Sequence, residues 1–220
     1  MTDMTRRELI GGVMAGAALS AIGRSTYASE VKMPENKDFY KTDGSFDVEA
    51  AKEAYYEMMR RFKYPIVDRL KGEEFWAVDF GMGKFTEVGM AGIFWINNKE
   101  HDYFGHEIYL LPGQMIPEHR HLKTEEARPK MEGWHTRYGF VWNYGEGDPR
   151  PGDVERIPPS HREIANARRS TKVMPGEVSY LAGPEQWHFM LAGPEGAIVS
   201  EYASYHDGAA LRFSHPDVVF

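Results

Sequence analysis

Beyond Trp76 the chain consists mainly of short apolar runs, rich in Phe, Val, Ile, Tyr and Trp and separated by Gly, Pro, Asn and Asp. Runs of this length and composition are typical of β-strands joined by turns. Apart from one insertion, no helical spacing lies between them, which argues against a parallel sheet with crossover helices. We therefore predict an all-β, two-sheet jelly roll. The predicted strands span residues 75–80, 89–97, 106–112, 115–121, 136–143, 178–182, 187–191 and 197–205.

One amphipathic helix is predicted ahead of the strands. Its apolar side chains recur at steps of three and four residues, the spacing that places them on one face of a helix. Pro65 ends the pattern, because proline has no backbone N–H with which to continue a helix. We expect the helix to pack against the outside of the sheet. The apolar positions are Val48, Ala51, Tyr55, Met58, Met59 and Phe62.

Residues 144–172 interrupt the succession of strands. The segment is rich in Gly, Asp, Pro and Arg and is too long for a hairpin turn. Ser160 and Glu163 have the spacing of a helix capping box, so a short helix is predicted within it. The sequence leaves three roles open for this insertion: a lid, an oligomer contact or an irregular loop.

The first 28 residues have the composition of an export signal. Residues 5–10, Thr-Arg-Arg-Glu-Leu-Ile, resemble a twin-arginine signal, and an apolar run too short to span a bilayer follows, up to the small residue Ala28. We predict export to the periplasm, with no stable membrane insertion once the leader, residues 1–28, is removed. Residues 29–44 are expected to form an extended arm, and residues 45–220 a single domain.

The chain of 220 residues contains no cysteine and carries a formal net charge of -7. An exported protein without cysteine has no disulfide, so its stability must come from the apolar core. The negative charge balance provides no basic surface for nucleic acid or for an anionic membrane. These features favour a small molecule as the binding partner.

Two histidines at alternate positions, His119 and His121, end one of the predicted strands. Side chains two positions apart on a strand share a face, so both imidazoles point to the same side. Glu126 follows within reach of the same point, and His188 adds a third imidazole from a later strand. Three nitrogens and one carboxylate oxygen suit Mn, Fe, Co, Ni or Zn. We predict that these four residues bind a divalent metal and leave open positions for a substrate.

The sequence G-x5-H-x-H-x4-E-x6-G, from Gly113 to Gly133, resembles the first conserved motif of the cupin superfamily. Pro175-Gly176, followed by His188, resembles the second motif. The resemblance implies an all-β cupin domain, a double-stranded β-helix or jelly-roll barrel, with the N-terminal helix packed outside it.

Three segments, Asp79–Phe94, Pro112–His121 and Ser200–Phe213, are similar to the D-lyxose isomerase family of sugar isomerases. The resemblance implies reversible conversion of an aldose into a ketose through an enediol, with a divalent ion that is usually manganese. A metal on the carbonyl oxygen and its neighbouring hydroxyl acidifies the carbon-bound hydrogen, and a carboxylate base can move that proton between carbons. Glu201 matches the family's glutamate and is the predicted catalytic base.

The chain departs from the family's pattern beside the metal motif. The family commonly has a lysine three residues after the second histidine and an aspartate after the metal glutamate, where this chain has Thr124 and Ala127. Lys123 lies one position early, which turns its side chain to the other face of an extended strand. Another group must then replace the family's lysine if that lysine acts on the carbonyl. The residues predicted to contact the sugar are Lys123, Glu107, His206 and Asp207.

Two other functions remain open from the sequence. A different cupin enzyme, a lyase or an iron dioxygenase, would use the same metal ligands. A non-catalytic sugar-binding domain would stack sugar rings on aromatic side chains, for which Trp95, Trp134 and Trp187 are candidates. Because an exposed sheet edge favours pairing between chains, we also predict a homodimer.

Overall fold

The structure, a computed structural model, describes residues 34–220, so the predicted leader lies outside the described residues. Within this range there are four helices: α1 (Val48–Arg61), α2 (Asp68–Lys71), α3 (Asp153–Arg156) and α4 (Pro159–Arg162). None of these helices is long and apolar enough to cross a membrane. The strands in the same range are β1 (Trp76–Val78), β2 (Met90–Asn98), β3 (Tyr103–Leu110), β4 (His119–His121), β5 (Glu132–Gly145), β6 (Arg169–Val173), β7 (Val178–Tyr180), β8 (His188–Ala203) and β9 (Leu211–Phe213).

The strands form one curled antiparallel sheet, with β1, β2, β3, β8, β4 and β9 hydrogen-bonded in that order and β5 pairing with β6, β7 and β8. This architecture confirms the predicted all-β fold class. The strand β8 is continuous over 16 residues, although the sequence predicted two strands there. The sequence also missed β6, a polar strand within the insertion, and the short β9.

Alternation along the strands separates an inner layer from an outer one. Ile108 and Val199 point into the inner cluster, whereas their neighbours Tyr109 and Ile198 point outward and pack with α1. Because β3 and β8 pair directly, the inward side chains of both strands line one cavity. The same alternation decides on which side of the sheet each polar residue of these strands lies.

The predicted amphipathic helix is present as α1. Asp47 caps its first turn, since its carboxylate accepts a hydrogen bond from the backbone N–H of Ala50 at 3.1 Å. Tyr55, on the buried face, donates a hydrogen bond to Gln114 at 2.6 Å, which fixes the helix to the chain ahead of β4. The described part of the predicted arm, residues 34–44, is not extended throughout, because Asn36–Phe39 forms a 3-10 turn whose Phe39 is buried.

The insertion is a folded element. The buried carboxylate of Glu118 accepts hydrogen bonds from Ala167 at 2.5 Å and from Asn166 at 3.0 Å. The predicted short helix exists as α4, but Ser160 lies inside it and donates to Glu87 instead of capping it. These contacts give the insertion a defined structure, which argues against a floppy loop.

Strands β5 and β8 pair over most of their length and bend together at two glycines. Gly139 adopts the left-handed backbone conformation, with φ of 65°, and the register of the pair shifts next to it. A Cβ atom at Gly139 would lie 1.9 Å from the carbonyl oxygen of Gly196. The bend allows one strand, β8, to carry His188 at its beginning and Glu201 near its end, and both side chains line the cavity.

We expect the substitution Gly139→Ala to reduce the free energy of unfolding by at least about 3 kcal/mol, because a left-handed conformation and a clash with backbone both oppose a side chain there. The matched control is Gly176→Ala, at φ of 86° with nothing within 4 Å of the added carbon. Its cost should be only the conformational one, about 1–2 kcal/mol. Urea unfolding measures both, and equal losses would show that the close approach at Gly139 is unimportant.

Candidate active site

Three imidazoles meet at one end of the cavity. His119 and His121 lie on the same face of β4, and His188 is the register partner of His119 on β8. Their candidate ligand nitrogens all lie within 4.8 Å of one another. The ring centroids of His119 and His188 are 4.3 Å apart. The structure thus brings together the three histidines predicted from the sequence, which we call the histidine cluster.

The carboxylate nearest to the histidine cluster belongs to Glu132, the first residue of β5. One of its oxygens lies 3.4 Å from Nε2 of His121, and the other lies 3.0 Å from Nε2 of His188. Only 5% of Glu132 is exposed. Burial would lower the pKa of His188, but the Glu132 carboxylate outweighs burial and raises it. Glu132 is therefore placed to stabilise a positive charge at this point, whether a proton or a metal ion carries it.

The ring nitrogens of the histidine cluster are prepared to bind a cation. Nδ1 of His119 lies 2.8 Å from the carbonyl oxygen of Pro117, and Nδ1 of His188 lies 2.9 Å from that of Gln186. A carbonyl oxygen only accepts, so these Nδ1 atoms carry the proton and leave Nε2 with a free lone pair.

Within residues 34–220, four buried atoms of this centre have no hydrogen-bond partner: both ring nitrogens of His121, Nε2 of His188 and one Glu132 oxygen. The short distance between His188 and Glu132 therefore lacks hydrogen-bond alignment. Buried polar atoms without partners are costly, and a metal ion bound to one nitrogen of His121, to His188 and to Glu132 would satisfy three of the four at once. The donor set, three imidazoles and one carboxylate, fits a divalent transition metal.

A second buried carboxylate, Glu201 on β8, lies beside this centre. The ammonium of Lys130 contacts Glu201 and lies 2.9 Å from Glu132, so a single lysine joins the two carboxylates. The other oxygen of Glu201 lies 3.1 Å from Nδ1 of His106, its register partner on β3. Glu201 is only 5% exposed, so its charge must be balanced by these neighbours.

Burial and neighbouring charges determine the protonation states of the site. Burial and the adjacent imidazoles lower the pKa of His119 well below its usual value, which keeps the ring neutral. Burial opposes ionisation of Glu132, but Lys130 and the imidazoles outweigh it and hold the pKa of this carboxyl well below its usual value. The pKa of Glu201 is also lowered, because Lys130 outweighs burial. The neutral ring of His119 and the ionised carboxylate of Glu132 are the forms that bind a metal ion, whereas His188, whose pKa is raised, would have to be in its neutral form to bind one.

The structure does not bring Glu126, the predicted acidic ligand, into this centre. The chain turns at Thr124, whose backbone N–H donates to the carbonyl of Ala127 at 3.0 Å. This turn directs Glu126 to the surface, where its exposed carboxylate pairs with Lys99. Glu132 takes the place beside the imidazoles that the sequence analysis gave to Glu126.

Three of the four residues that were predicted to contact the sugar, Lys123, Asp207 and Glu107, lie outside the cavity. Lys123 is exposed and outside the cavity. Asp207 accepts hydrogen bonds from Thr124 at 2.7 Å and from the backbone of Ala209, and so fixes a turn. The fourth, His206, does line the cavity.

Glu107 is the third of these displaced residues, and it lies on the opposite side of the sheet. It is buried against the helical layer, where Ser200 donates to it at 3.0 Å, Trp95 donates at 3.2 Å and Tyr64 also donates. Its neighbour His106 faces the cavity, so alternation along β3 turns Glu107 away from it. Trp95, which donates to Glu107, also lies outside the cavity. It therefore has no role in stacking a sugar there.

Sequence reasoning missed Lys130, Glu132 and His106. A signal for the first two was present, since the family pattern implies a lysine two positions before the metal glutamate. Lys130 and Glu132 reproduce that interval further along the chain. His106 had no comparable signal, because its role depends on which strand pairs with β3.

A cavity of about 670 Å³, open to solvent, contains these groups. Its polar side comprises the histidine cluster with Glu132, Lys130, Glu201 and His106, and aromatic and aliphatic side chains form most of the remainder. Of the three tryptophans considered for sugar stacking, Trp134 lines this cavity, whereas Trp187 packs against Arg120 outside it.

The chain shows clear similarity to known proteins. It is 32% identical over 171 residues to a D-lyxose/D-mannose isomerase of Thermosediminibacter oceani, covering 78% of this chain and 92% of that protein. A D-lyxose ketol-isomerase of a Thermofilum species is also 32% identical over 171 residues, with 78% and 93% of the two chains covered. No protein-family model matches the chain.

The fold is shared with solved structures of L-ribose isomerases. The enzyme of Acinetobacter sp. DL28, in complex with L-ribose, superposes with a TM-score of 0.63 at 12% identity over 84% of this chain and 96% of that one. The enzyme of Cellulomonas parahominis, with L-psicose, gives a TM-score of 0.62 at 13% identity, covering 82% and 95%. Fold and sequence together define a cupin-type sugar isomerase, an enzyme that interconverts aldoses and ketoses. More particularly, the chain belongs to the D-lyxose ketol-isomerase family.

We expect Lys130→Met to reduce the free energy of unfolding of the metal-free protein by about 3–5 kcal/mol, because it leaves two buried carboxylates without their cation. Lys123→Met is the matched control. Its side chain is exposed, so the change should stay within about 0.5 kcal/mol. Urea denaturation measures both, and similar values for the two variants would contradict the central position of Lys130.

Proposed function

We propose that this protein is a divalent-metal-dependent isomerase that converts an aldose into a ketose through an enediol. The observation that carries the proposal is the contact of one ammonium, that of Lys130, with both Glu132 and Glu201. It holds a candidate metal ligand and a candidate base side by side. A sugar carbonyl bound at the histidine cluster therefore has a carboxylate base next to it.

The proposed metal ligands are the three residues of the histidine cluster and Glu132. We propose Mn²⁺ as the resident ion, and Fe²⁺, Co²⁺, Ni²⁺ or Zn²⁺ suits the same donors. When bound, such an ion would polarise the substrate carbonyl and stabilise the negative charge that develops on its oxygen. The unpartnered atoms of His121, His188 and Glu132 support this assignment.

Glu201 is the proposed catalytic base. It takes the proton from the carbon next to the carbonyl, and the electron pair of that C–H bond forms the carbon–carbon double bond of the enediol. The carbonyl π electrons move to the oxygen, which takes up the proton of the neighbouring hydroxyl. Glu201 then returns its proton to the former carbonyl carbon, while an electron pair of the deprotonated neighbouring oxygen forms the ketone carbonyl. The net result is a ketose, with no oxidant or reductant consumed.

The neighbours of Glu201 suit this task. Lys130 holds one carboxylate oxygen and favours the ionised form that is needed before the proton is taken. His106 contacts the other oxygen and so fixes the plane of the carboxylate. The ring of His106 is itself stacked on Trp76, with centroids 5.7 Å apart. Gly92 makes room for this stack, because a Cβ atom there would lie 2.4 Å from Nε2 of His106.

The relatives are named for D-lyxose and D-mannose, which makes these two aldoses the first substrates to test. His206 is proposed to contact a sugar hydroxyl. Burial lowers its pKa to about 3, with Lys130 and His121 adding to the effect, so the ring stays neutral. Its Nδ1 is buried and has no hydrogen-bond partner among residues 34–220, which leaves it available to a hydroxyl.

We further propose that the enzyme acts outside the cytoplasm, as a homodimer. The twin-arginine-like sequence at residues 5–10 supports export. The unpaired edges of the sheet, at β1 and β9, support association between chains.

The substitution Glu132→Gln should weaken Mn²⁺ binding by more than about 100-fold, because it removes a charged ligand. The control is Glu126→Gln, which replaces the glutamate of the sequence motif. This variant should bind Mn²⁺ as the unchanged protein does. Calorimetric titration of the metal-free proteins checks both. Loss of binding in Glu126→Gln with retention in Glu132→Gln would reverse the assignment.

Glu201→Gln should slow incorporation of deuterium into carbon-bound positions of D-mannose in D2O by roughly 10²- to 10⁴-fold, since a general base contributes about that much. Bound metal should be unchanged. Glu107→Gln, a buried carboxylate on the other side of the sheet, is the control and should retain most of the exchange. NMR follows the exchange and the appearance of the ketose in the same sample. Full exchange in Glu201→Gln would remove it as the base.

A further inference from the structure

Several charged side chains of the cavity lie close to one another. The Nε2 atom of His121 is 3.4 Å from Glu132, Lys130 joins Glu132 to Glu201, and Glu201 is 3.1 Å from His106. These groups surround the proposed reacting carbons. The remainder of a bound sugar must therefore extend from them across the cavity.

The cavity is also lined by an aromatic arc, formed by Trp76, Phe80, Phe213 and Phe220. It starts beside the histidine cluster, where the rings of Phe213 and His119 are 6.0 Å apart. Phe220 follows at 6.4 Å from Phe213, and Trp76 at 5.8 Å from Phe220. Phe80 stacks against Phe220 at 5.7 Å. The arc ends where Trp76 stacks on His106.

The backbone holds the arc in place. Phe80 has a positive φ of 55°, a conformation that is unfavourable for a residue with a bulky side chain. Its carbonyl accepts a hydrogen bond from Val219 at 2.9 Å, which secures the segment that carries Phe220. Backbone strain of this kind occurs preferentially where a binding site needs a particular side-chain position.

The arc offers almost nothing to a hydroxyl group. Elsewhere in the cavity lining, Asn143 and His206 each have a buried polar atom without a partner in the described part of the chain, and these atoms suit hydroxyls of the sugar. The arc's single polar group is the indole N–H of Trp76, which donates but cannot accept. Met90, Ile108 and Ile116 are further apolar residues of the lining. A hydroxyl directed to the arc finds no acceptor for its own proton among the arc's side chains.

We propose that the preferred substrate is a deoxy sugar, an aldose whose carbon farthest from the carbonyl is a methyl group in place of a hydroxymethyl group. This inference rests on the isomerase function proposed above. The methyl group gains contact with the aromatic arc and loses no hydrogen bond. The hydroxymethyl group of D-mannose or D-lyxose loses part of its hydration at the same position.

The test compares two pairs of sugars that differ only at that carbon. They are D-mannose with 6-deoxy-D-mannose, and D-lyxose with 5-deoxy-D-lyxose. For the full chain loaded with Mn²⁺, we expect kcat/KM to be about 10- to 100-fold higher for the deoxy member of each pair, the range by which an apolar pocket discriminates against one added hydroxyl.

Two variants connect the preference to the arc. Phe220→Ser places a hydroxyl in the arc, and its parent side chain is 57% exposed, so the fold should tolerate the change. The ratio of the two kcat/KM values should fall at least several-fold. Tyr180→Ser removes an aromatic ring that is 74% exposed on β7, outside the cavity, and should leave the ratio unchanged.

The outcomes separate this inference from the function on which it rests. Isomerisation of D-mannose or D-lyxose at rates equal to or above those of the deoxy sugars overturns the deoxy preference and leaves the isomerase proposal intact. A preference for deoxy sugars that Phe220→Ser does not change removes the arc as its cause. Absence of both deuterium exchange and isomerisation with all four sugars overturns both proposals.

Discussion

The buried ammonium of Lys130 is the charge on which the arrangement of this site depends. Glu132 and Glu201 are both nearly inaccessible to water, and two such carboxylates side by side would repel each other and take up protons. Lys130 contacts both and keeps them ionised. A buried ion pair of this kind adds little net stability, because desolvation offsets most of the attraction. Its contribution here is positional, since it sets the proposed metal ligand and the proposed base at neighbouring points.

The two long strands provide the frame for that arrangement. β5 begins at Glu132, and β8 carries both His188 and Glu201. Their common bend, which Gly139 permits, turns the strands so that residues distant in sequence line one cavity. His106 then reaches Glu201 only because β3 is the other neighbour of β8. Sheet topology therefore brings together residues whose proximity cannot be predicted from their spacing in the sequence.

The sequence predicted most of the fold because its patterns are local. Helix α1 follows from three- and four-residue spacing, and the apolar runs predict the strands directly. The prediction was wrong where composition does not reveal a strand. The strand β6 is polar. The Gly-Pro-Glu-Gly stretch inside β8 has the composition of a turn, although the strand bends there and continues. A bend within a strand and a turn between two strands have the same residue composition. Only the pairing of β8 with β5 on both sides of this stretch shows that it is a bend.

The site was predictable to a smaller extent. The placement of the histidines of β4 follows from alternation along the strand. The acidic ligand was predicted to be Glu126 because it matches the motif, but the turn at Thr124 directs Glu126 to the surface. Glu107 was misplaced for a related reason: alternation shows that His106 and Glu107 face opposite sides, but not which of them faces inward. That choice needs a packed neighbour as a reference. The pairing of Lys130 with two carboxylates depends on tertiary contacts that no local pattern records.

The turn that directs Glu126 outward has a wider consequence. Because the carboxylate beside the imidazoles comes from the start of β5, the stretch between His121 and Lys130 contributes none of the proposed metal ligands. Such a stretch could lengthen, shorten or change its charge without disturbing the proposed centre. The acidic residue nearest to a histidine pair in sequence is therefore an unreliable guide to the one nearest in space.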